Sequence, residues 1–303
     1  MTQPGKIQQE ILDLKKLRNA LILAHYYQPL EVQDIADHVC DSHAMAKKAA
    51  EAKEDLIIIC GVRFMAESAK ILNPDKTILL PAATAGCPMA DMITADDVLE
   101  LKADHPDGKV MCYVNSSAAV KAVSDVCCTS ASAVHIAKAL DTKKIIFVPD
   151  RHMGEYVSLQ VPEKEFILWQ GFCPTHYKIT EKDVLKAKVA LPNAKFAAHP
   201  ECRTKVLKHA DYIGSTAGII EFTRETEASE IIIGTEIGIL ERLQRELPNK
   251  RLYCVSAGFI CPNMKKTGVS EVLNSLKNNT HEIIMSTSEI NAARQSLDRM
   301  ITV

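Results

Sequence analysis

The sequence predicts an α/β chain: three αβα units with parallel sheets, related by pseudo-threefold symmetry about a shared axis. Three observations carry this. The chain repeats itself at shifts of 88 and then 86 residues. Within each repeat, short apolar runs alternate with amphipathic stretches. And cysteine followed by proline recurs on nearly the same spacing, at Cys87, Cys173 and Cys261.

The repeat is a register shared by many positions. "HYYQ" at His25 falls on "YVNS" at Tyr113 and "HPEC" at His199, and twelve residues later Asp37, Asp125 and Asp211 coincide. Ser42, Ser130 and Thr216 follow five beyond those, and then Ile59, Phe147 and Ile233 inside "LIIIC", "KIIFV" and "EIIIG". Glu67, Glu155 and Glu241 align as well, and Val98, Val184 and Val272 each follow a Cys-Pro cysteine by 11 residues. Self-similarity at a fixed period marks repeated supersecondary units. The repeats run over 20–107, 108–193 and 194–281, and each is small enough to need its neighbours for a core.

Taken in order, "MTQPGKIQQEILDLKKLRN" is charged and helical in pattern, followed by an apolar strand ending at His25. A helix opens near Ser42, with Ser130 and Thr216 as its counterparts, short polar residues suited to N-caps. "DLIIIC" is a buried strand, "RFMAESAKIL" an amphipathic helix, and "TILLPA" a strand that delivers Cys87. Alternation of this kind gives parallel strands with right-handed crossovers. The segment "HEIIMSTSEINAARQSLDRM" looks like the start of a fourth unit; 282–303 and 1–19 are expected to close on the first.

Charge and length exclude several classes. Lys plus Arg number 36 against 38 Asp plus Glu, a formal net charge of −2, with no basic run to hold a nucleic acid. "LIIIC" falls far short of the roughly 18 apolar residues a membrane span needs. The N-terminal stretch carries no signal-peptide core, and ten cysteines in 303 residues are too dilute for a disulfide scaffold. A cytoplasmic protein with reduced thiols is the expectation.

No C-x-x-C occurs in the chain. One cysteine per unit at an equivalent strand end instead converges three thiolates on one axis, and Pro88, Pro174 and Pro262 stiffen the loops that present them. Cys40, Cys60, Cys112, Cys127, Cys128, Cys202 and Cys254 lie off this register and read as buried core residues. Three thiolates suit zinc, with His176 of Cys173-x-x-His176 as a fourth ligand, or an iron–sulfur cluster with one iron left open. Spacing does not separate the two.

Polar groups collect on the same axis. His25 and Tyr27, Tyr113 and Asn115, and His199 and Glu201 end the three first strands, while Ser42, Ser130 and Ser215/Thr216 begin helices whose free N–H groups favour anions. Substrates bearing carboxylate or phosphate groups follow. No Lys or Arg neighbours Glu201 in sequence, so desolvation is expected to raise its pKa toward neutrality.

These residues resemble the quinolinate synthases. The carriers are "LAHYYQ" at 23–28, "CDSHAMA" at 40–46, "GVRFMAE" at 61–67, "AGCPMADM" at 85–92, "CYVNSSAAVKA" at 112–122, "CTSASA" at 128–133, "PDRHMG" at 149–154, "GFCPTH" at 171–176, "HPEC" at 199–202, "GSTAG" at 214–218 and "FICPNMK" at 259–265. The resemblance implies a triangular fold around a central [4Fe–4S] cluster held by Cys87, Cys173 and Cys261, with one open iron. It implies condensation of iminoaspartate with dihydroxyacetone phosphate into quinolinate, phosphate and water during NAD biosynthesis. Substrate contacts fall on His25, Tyr27, Ser42, Tyr113, Asn115, Ser130, His176, His199, Glu201, Ser215 and Thr216. Glu201 is expected as the main acid–base group, with Tyr27 and His25 as partners, and functional coupling to the enzyme that supplies iminoaspartate is expected too. Two rivals share the pattern: a three-cysteine reductase that removes a hydroxyl to form isoprenoid precursors, and an iron–sulfur or anion sensor that only binds.

Overall fold

A computed structural model describes residues 5–302. Its twelve strands fall into three four-stranded parallel sheets. The first holds β1 (Ala20–His25), β2 (His38–Cys40), β3 (Leu56–Cys60) and β4 (Thr77–Leu79). The second holds β5 (Gly108–Tyr113), β6 (Val126–Cys128), β7 (Lys144–Val148) and β8 (Glu165–Leu168). The third holds β9 (Lys195–Ala198), β10 (Tyr212–Ile213), β11 (Glu230–Gly234) and β12 (Arg251–Cys254). Each sheet has the same strand order: second, first, third, fourth.

The sequence repeat reappears in the strand pairing. Leu23 pairs with Ile59, Met111 with Phe147 and Ala197 with Ile233, so both members of each pair shift by the same 88 and 86 residues. The two central strands of each sheet, the first and third, are largely buried on both faces, which is why they read as continuous apolar runs rather than alternating ones. Ile59, Phe147 and Ile233 face one core that draws on all three sheets. Ile58, one residue off, faces a separate cluster with Ile11 and Leu276 from the helices Lys6–Leu17 and Val269–Asn278. Each fully buried isoleucine of this kind contributes about 1.5–3 kcal/mol.

Several repeated polar residues have purely architectural jobs. Asp37, Asp125 and Asp211 each accept a hydrogen bond from a first-strand amide, Ile22, Val110 and Phe196, at 2.8, 2.8 and 2.9 Å. The backbone amides of those aspartates return bonds to the same three residues. Thr94 and Thr180 open the helices Ala95–Asp104 and Glu181–Ala190 with reciprocal capping bonds to Asp97 and Asp183. Val98, Val184 and Val272 are the fully buried anchors of the three corresponding helices.

Two local expectations change. Ser42 and Thr216 are the first helical residues, and the caps lie one position earlier: Asp41 accepts from the Ala44 amide and Ser215 from the Gly218 amide. Ser130 caps no helix; Ala133–Ala139 starts three residues on, after Ser132. The C-terminal helix Thr287–Thr302 reaches beyond the first unit: Arg294 donates to the Ile71 carbonyl, but Ser296 donates to the Lys121 carbonyl at 2.8 Å and Arg299 to Asp125 at 2.6 Å. Where a fourth unit would open with its first strand, there is only a bridge between Glu282 and Leu79. No helix among the described residues is long and apolar enough to cross a membrane.

Candidate active site

The three first strands end toward one cavity, and the loops after the three fourth strands bring Cys87, Cys173 and Cys261 to the same place. Ligands of parallel α/β sheets bind at the carboxyl ends of strands, and here three such ends share one pocket. His25, Tyr27, Ser42, Tyr113, Asn115, Ser130, His176, His199, Glu201 and Thr216 all line it. Ser215 does not: its hydroxyl is spent on the Gly218 amide at 3.1 Å.

Glu201 sits at the centre of the polar network. Tyr113 donates its hydroxyl to Glu201 Oε1 at 2.7 Å, and Asn115 Nδ2 donates to the same oxygen at 3.3 Å. His176 Nδ1 lies 2.8 Å from Oε2. The expectation of a raised Glu201 pKa is therefore wrong. Burial does push it upward, but the electrostatics of His176 and His199 beside it, together with hydrogen bonds from His176 and Tyr113, outweigh burial and hold it below the usual carboxylate range. His199 stands two residues away in the same segment, but His176 and Tyr113 come from other loops and units, where inspection of the neighbours in sequence does not reach.

From His176 the network continues. Its Nε2 meets Thr235 Oγ1 at 3.0 Å, Thr235 meets the Tyr27 hydroxyl at 2.6 Å, and Tyr27 meets Thr216 Oγ1 at 2.8 Å. With Nδ1–H donated to Glu201, Nε2 accepts from Thr235, which accepts from Tyr27. A directed chain of hydrogen bonds thus joins Tyr27 to Glu201. Burial and the Glu201 charge raise the Tyr27 and Tyr113 hydroxyls well above the ordinary tyrosine range, so both remain protonated.

The paired histidines are held alike. The Tyr27 amide donates to His25 Nδ1 at 3.2 Å, and the Glu201 amide to His199 Nδ1 at 3.3 Å. In each ring Nε2 is then the proton-bearing nitrogen. Burial lowers His25 to about 3 and His199 to about 4, so both are neutral near pH 7.

The donor set fits a metal centre. All ten cysteines are free, yet only Cys87, Cys173 and Cys261 line this cavity. Burial pushes the Cys87 thiol up to about 12 and raises Cys173 and Cys261, so a bound metal must displace their protons. A smaller set is also present: one ligand atom each from Cys173, His176 and Glu201 lie within 4.8 Å of one another. Thr235, Asp150 and Glu236 belong to this site and were not singled out in the sequence. Thr235 has no polar counterpart in the repeat, which puts Gly61 and Pro149 opposite it; Asp150 and Glu236 do align with each other, a signal that was available.

The chain matches the family model described as "Quinolinate synthetase A protein" over residues 9–302. Curated relatives called quinolinate synthase are similar along nearly the whole chain. That of Caldicellulosiruptor saccharolyticus is 52% identical over 296 residues, covering 98% of each chain. That of Alkaliphilus metalliredigens is 48% identical over 294 residues, covering 97% of each, and that of Methanosarcina barkeri is 48% identical over 301, covering 99% of each.

Proposed function

Because the chain belongs to the quinolinate synthetase A family, we propose that its site condenses iminoaspartate with dihydroxyacetone phosphate to give quinolinate, phosphate and two waters. The observation that carries this is Glu201, a buried carboxylate held by Tyr113, Asn115 and His176 and wired to Tyr27, in a cavity that three strand-end cysteines also line.

Cys87, Cys173 and Cys261 would hold a [4Fe–4S] cluster. Held by only three cysteines, such a cluster supplies an iron that can act as a Lewis acid during loss of hydroxide. The remaining work is proton transfer and positioning, and the protein's own side chains supply it. Glu201, ionised at rest, takes protons from carbon or nitrogen of the substrate; His176 and the Thr235–Tyr27 chain exchange protons with it from the far side. His25 and His199, neutral with Nε2–H, donate hydrogen bonds to substrate oxygens without adding charge. Ser42 and Thr216, at the starts of the helices Ser42–Glu51 and Thr216–Glu225, offer hydroxyls beside backbone N–H groups, which favour carboxylate or phosphate oxygens. Ser130, Tyr113 and Asn115 complete the contacts. Ser215 supports Thr216 through the cap. The units 20–107, 108–193 and 194–281 are the modules that bring these groups together. Ten free thiols suit a reducing compartment such as the cytoplasm.

The reaction is redox-neutral, which separates it from the reductase, and it consumes its substrates, which separates it from the sensor. Anaerobically prepared protein given both substrates and no reductant should release quinolinate and phosphate in equal amounts. Binding without turnover, or turnover only with an added electron donor, would overturn the proposal.

A further inference from the structure

Two residues beyond the third strand of each unit, the repeat aligns Val62, Asp150 and Glu236. The following residue makes the same backbone bond in all three units: the amides of Arg63, Arg151 and Ile237 donate to the carbonyls of Ala85, Gly171 and Phe259, at 2.8, 2.9 and 2.9 Å. Each acceptor stands two residues before a Cys-Pro cysteine. This bond ties each cysteine loop to the end of the third strand of its unit.

The second and third units add something the first lacks. Asp150 and Glu236 are both fully buried. Asp150 accepts from the Cys173 amide at 3.1 Å through one oxygen and from the Met153 amide at 2.9 Å through the other. Glu236 accepts from the Cys261 amide at 3.2 Å and from the Gly238 amide at 2.6 Å, and it pairs with Lys265 at 2.9 Å. Lys265 donates in turn to the Tyr27 carbonyl, joining this carboxylate to the end of the first strand. Val62 has no side-chain acceptor, and among the described residues the Cys87 amide meets none.

We propose that Asp150 and Glu236 are positioning residues for the metal centre: each clamps the backbone of one cysteine ligand, Cys173 or Cys261, while Cys87 is left to its loop. This rests on the reading of the three cysteines as cluster ligands. Burying a carboxylate is costly unless its oxygens are satisfied, so its recurrence at this one repeat position, with the same cysteine amide as partner, marks a task beyond packing. Groups that orient metal ligands from behind are typically worth about 10–100-fold in metal affinity.

The test begins with the cluster-free chain. Backbone amide exchange, followed by NMR, should be slow at Cys173 and Cys261 and fast at Cys87. Asp150→Asn puts an NH2 group against one of two amide donors, so exchange should quicken at Cys173 and not at Cys261. Glu236→Gln should do the reverse. General loosening of the fold would quicken both, and equal exchange at all three cysteines of the unaltered chain would overturn the proposal even if neither variant folds. After anaerobic loading with iron and sulfide, each variant should lose its cluster to a chelator about 10-fold or more faster than the parent, with an altered electron paramagnetic resonance line shape in the reduced state. Parental loss rates and line shapes in both variants would overturn the proposal. A parent chain that takes up no iron and sulfide would instead overturn the assignment of the cysteines as cluster ligands, and the positioning role with it.

Discussion

The Tyr113 hydroxyl donates to Glu201 Oε1 at 2.7 Å, linking the end of the second unit's first strand to that of the third. Asn115 and His176 converge on the same carboxylate, so it is both desolvated and ionised. Glu201→Gln keeps the shape and removes the base. Cluster content should be unchanged while turnover falls by roughly 10²-fold or more, the usual contribution of a general acid–base group. Tyr113→Phe removes one donor only and should cost less. Near-normal turnover in Glu201→Gln, with iron and sulfide intact, would take Glu201 out of the mechanism.

The bonded chain from Tyr27 through Thr235 to His176 gives a second test. Thr235→Val is close in shape and removes both of its hydrogen bonds. If protons pass along this chain, Thr235→Val and Tyr27→Phe should each lower kcat, and the double variant should be little worse than the poorer single, because residues acting as a unit are not additive. Fully multiplicative losses would show that the two act separately.

Cysteine variants separate ligands from core. Serine at Cys87, Cys173 or Cys261 should abolish cluster assembly, whereas serine at Cys40 or Cys202 should leave iron and sulfide content at the parental level. Both of the latter are buried off the cavity, and burial raises both thiols, that of Cys40 to about 12. Cluster loss confined to Cys40→Ser or Cys202→Ser would mean the ligands are misassigned.

Acid should weaken the cluster-free fold through two histidines. His25 and His199 fall from 6.5 in the unfolded chain to about 3 and about 4 in the folded one. The unfolded state therefore binds more protons below pH 6.5. Their contribution to stability is complete above that pH and is lost as pH falls from 6.5 toward 3–4. Denaturant unfolding of the parent between pH 7 and 5 should lose stability more steeply than that of the His25→Asn/His199→Asn double variant, in which asparagine can still accept the neighbouring amide. Equal slopes would show that the rings are protonated in the fold.

Much of this architecture was legible because repetition amplifies weak signals. The helix Arg63–Leu72 has the bounds its apolar spacing suggests, and the strand Leu56–Cys60 is its apolar run. Helix starts were less legible. A short polar residue serves equally as cap or as first helical residue, so Asp41 before Ser42 and Ser215 before Thr216 could not be told apart by type. The C-terminal helix was placed by its similarity to a repeat, but its partners include Lys121 and Asp125, chosen by packing between units. Electrostatics were least legible. No Lys or Arg lies immediately beside Glu201 along the chain, and its state is set in part by Tyr113, 88 residues away, and by His176. Thr235, which joins Tyr27 to His176, carries no repeat signal at all.

The centre itself can be decided by composition. The three repeat cysteines point to one shared cluster, whereas Cys173, His176 and Glu201, within 4.8 Å of one another, could together grip a single zinc. Iron, acid-labile sulfide and zinc should be measured on protein purified without oxygen. About four iron and four sulfide per chain, with negligible zinc, is the result expected of a [4Fe–4S] centre. Stoichiometric zinc without sulfide, in protein that still forms quinolinate, would contradict it.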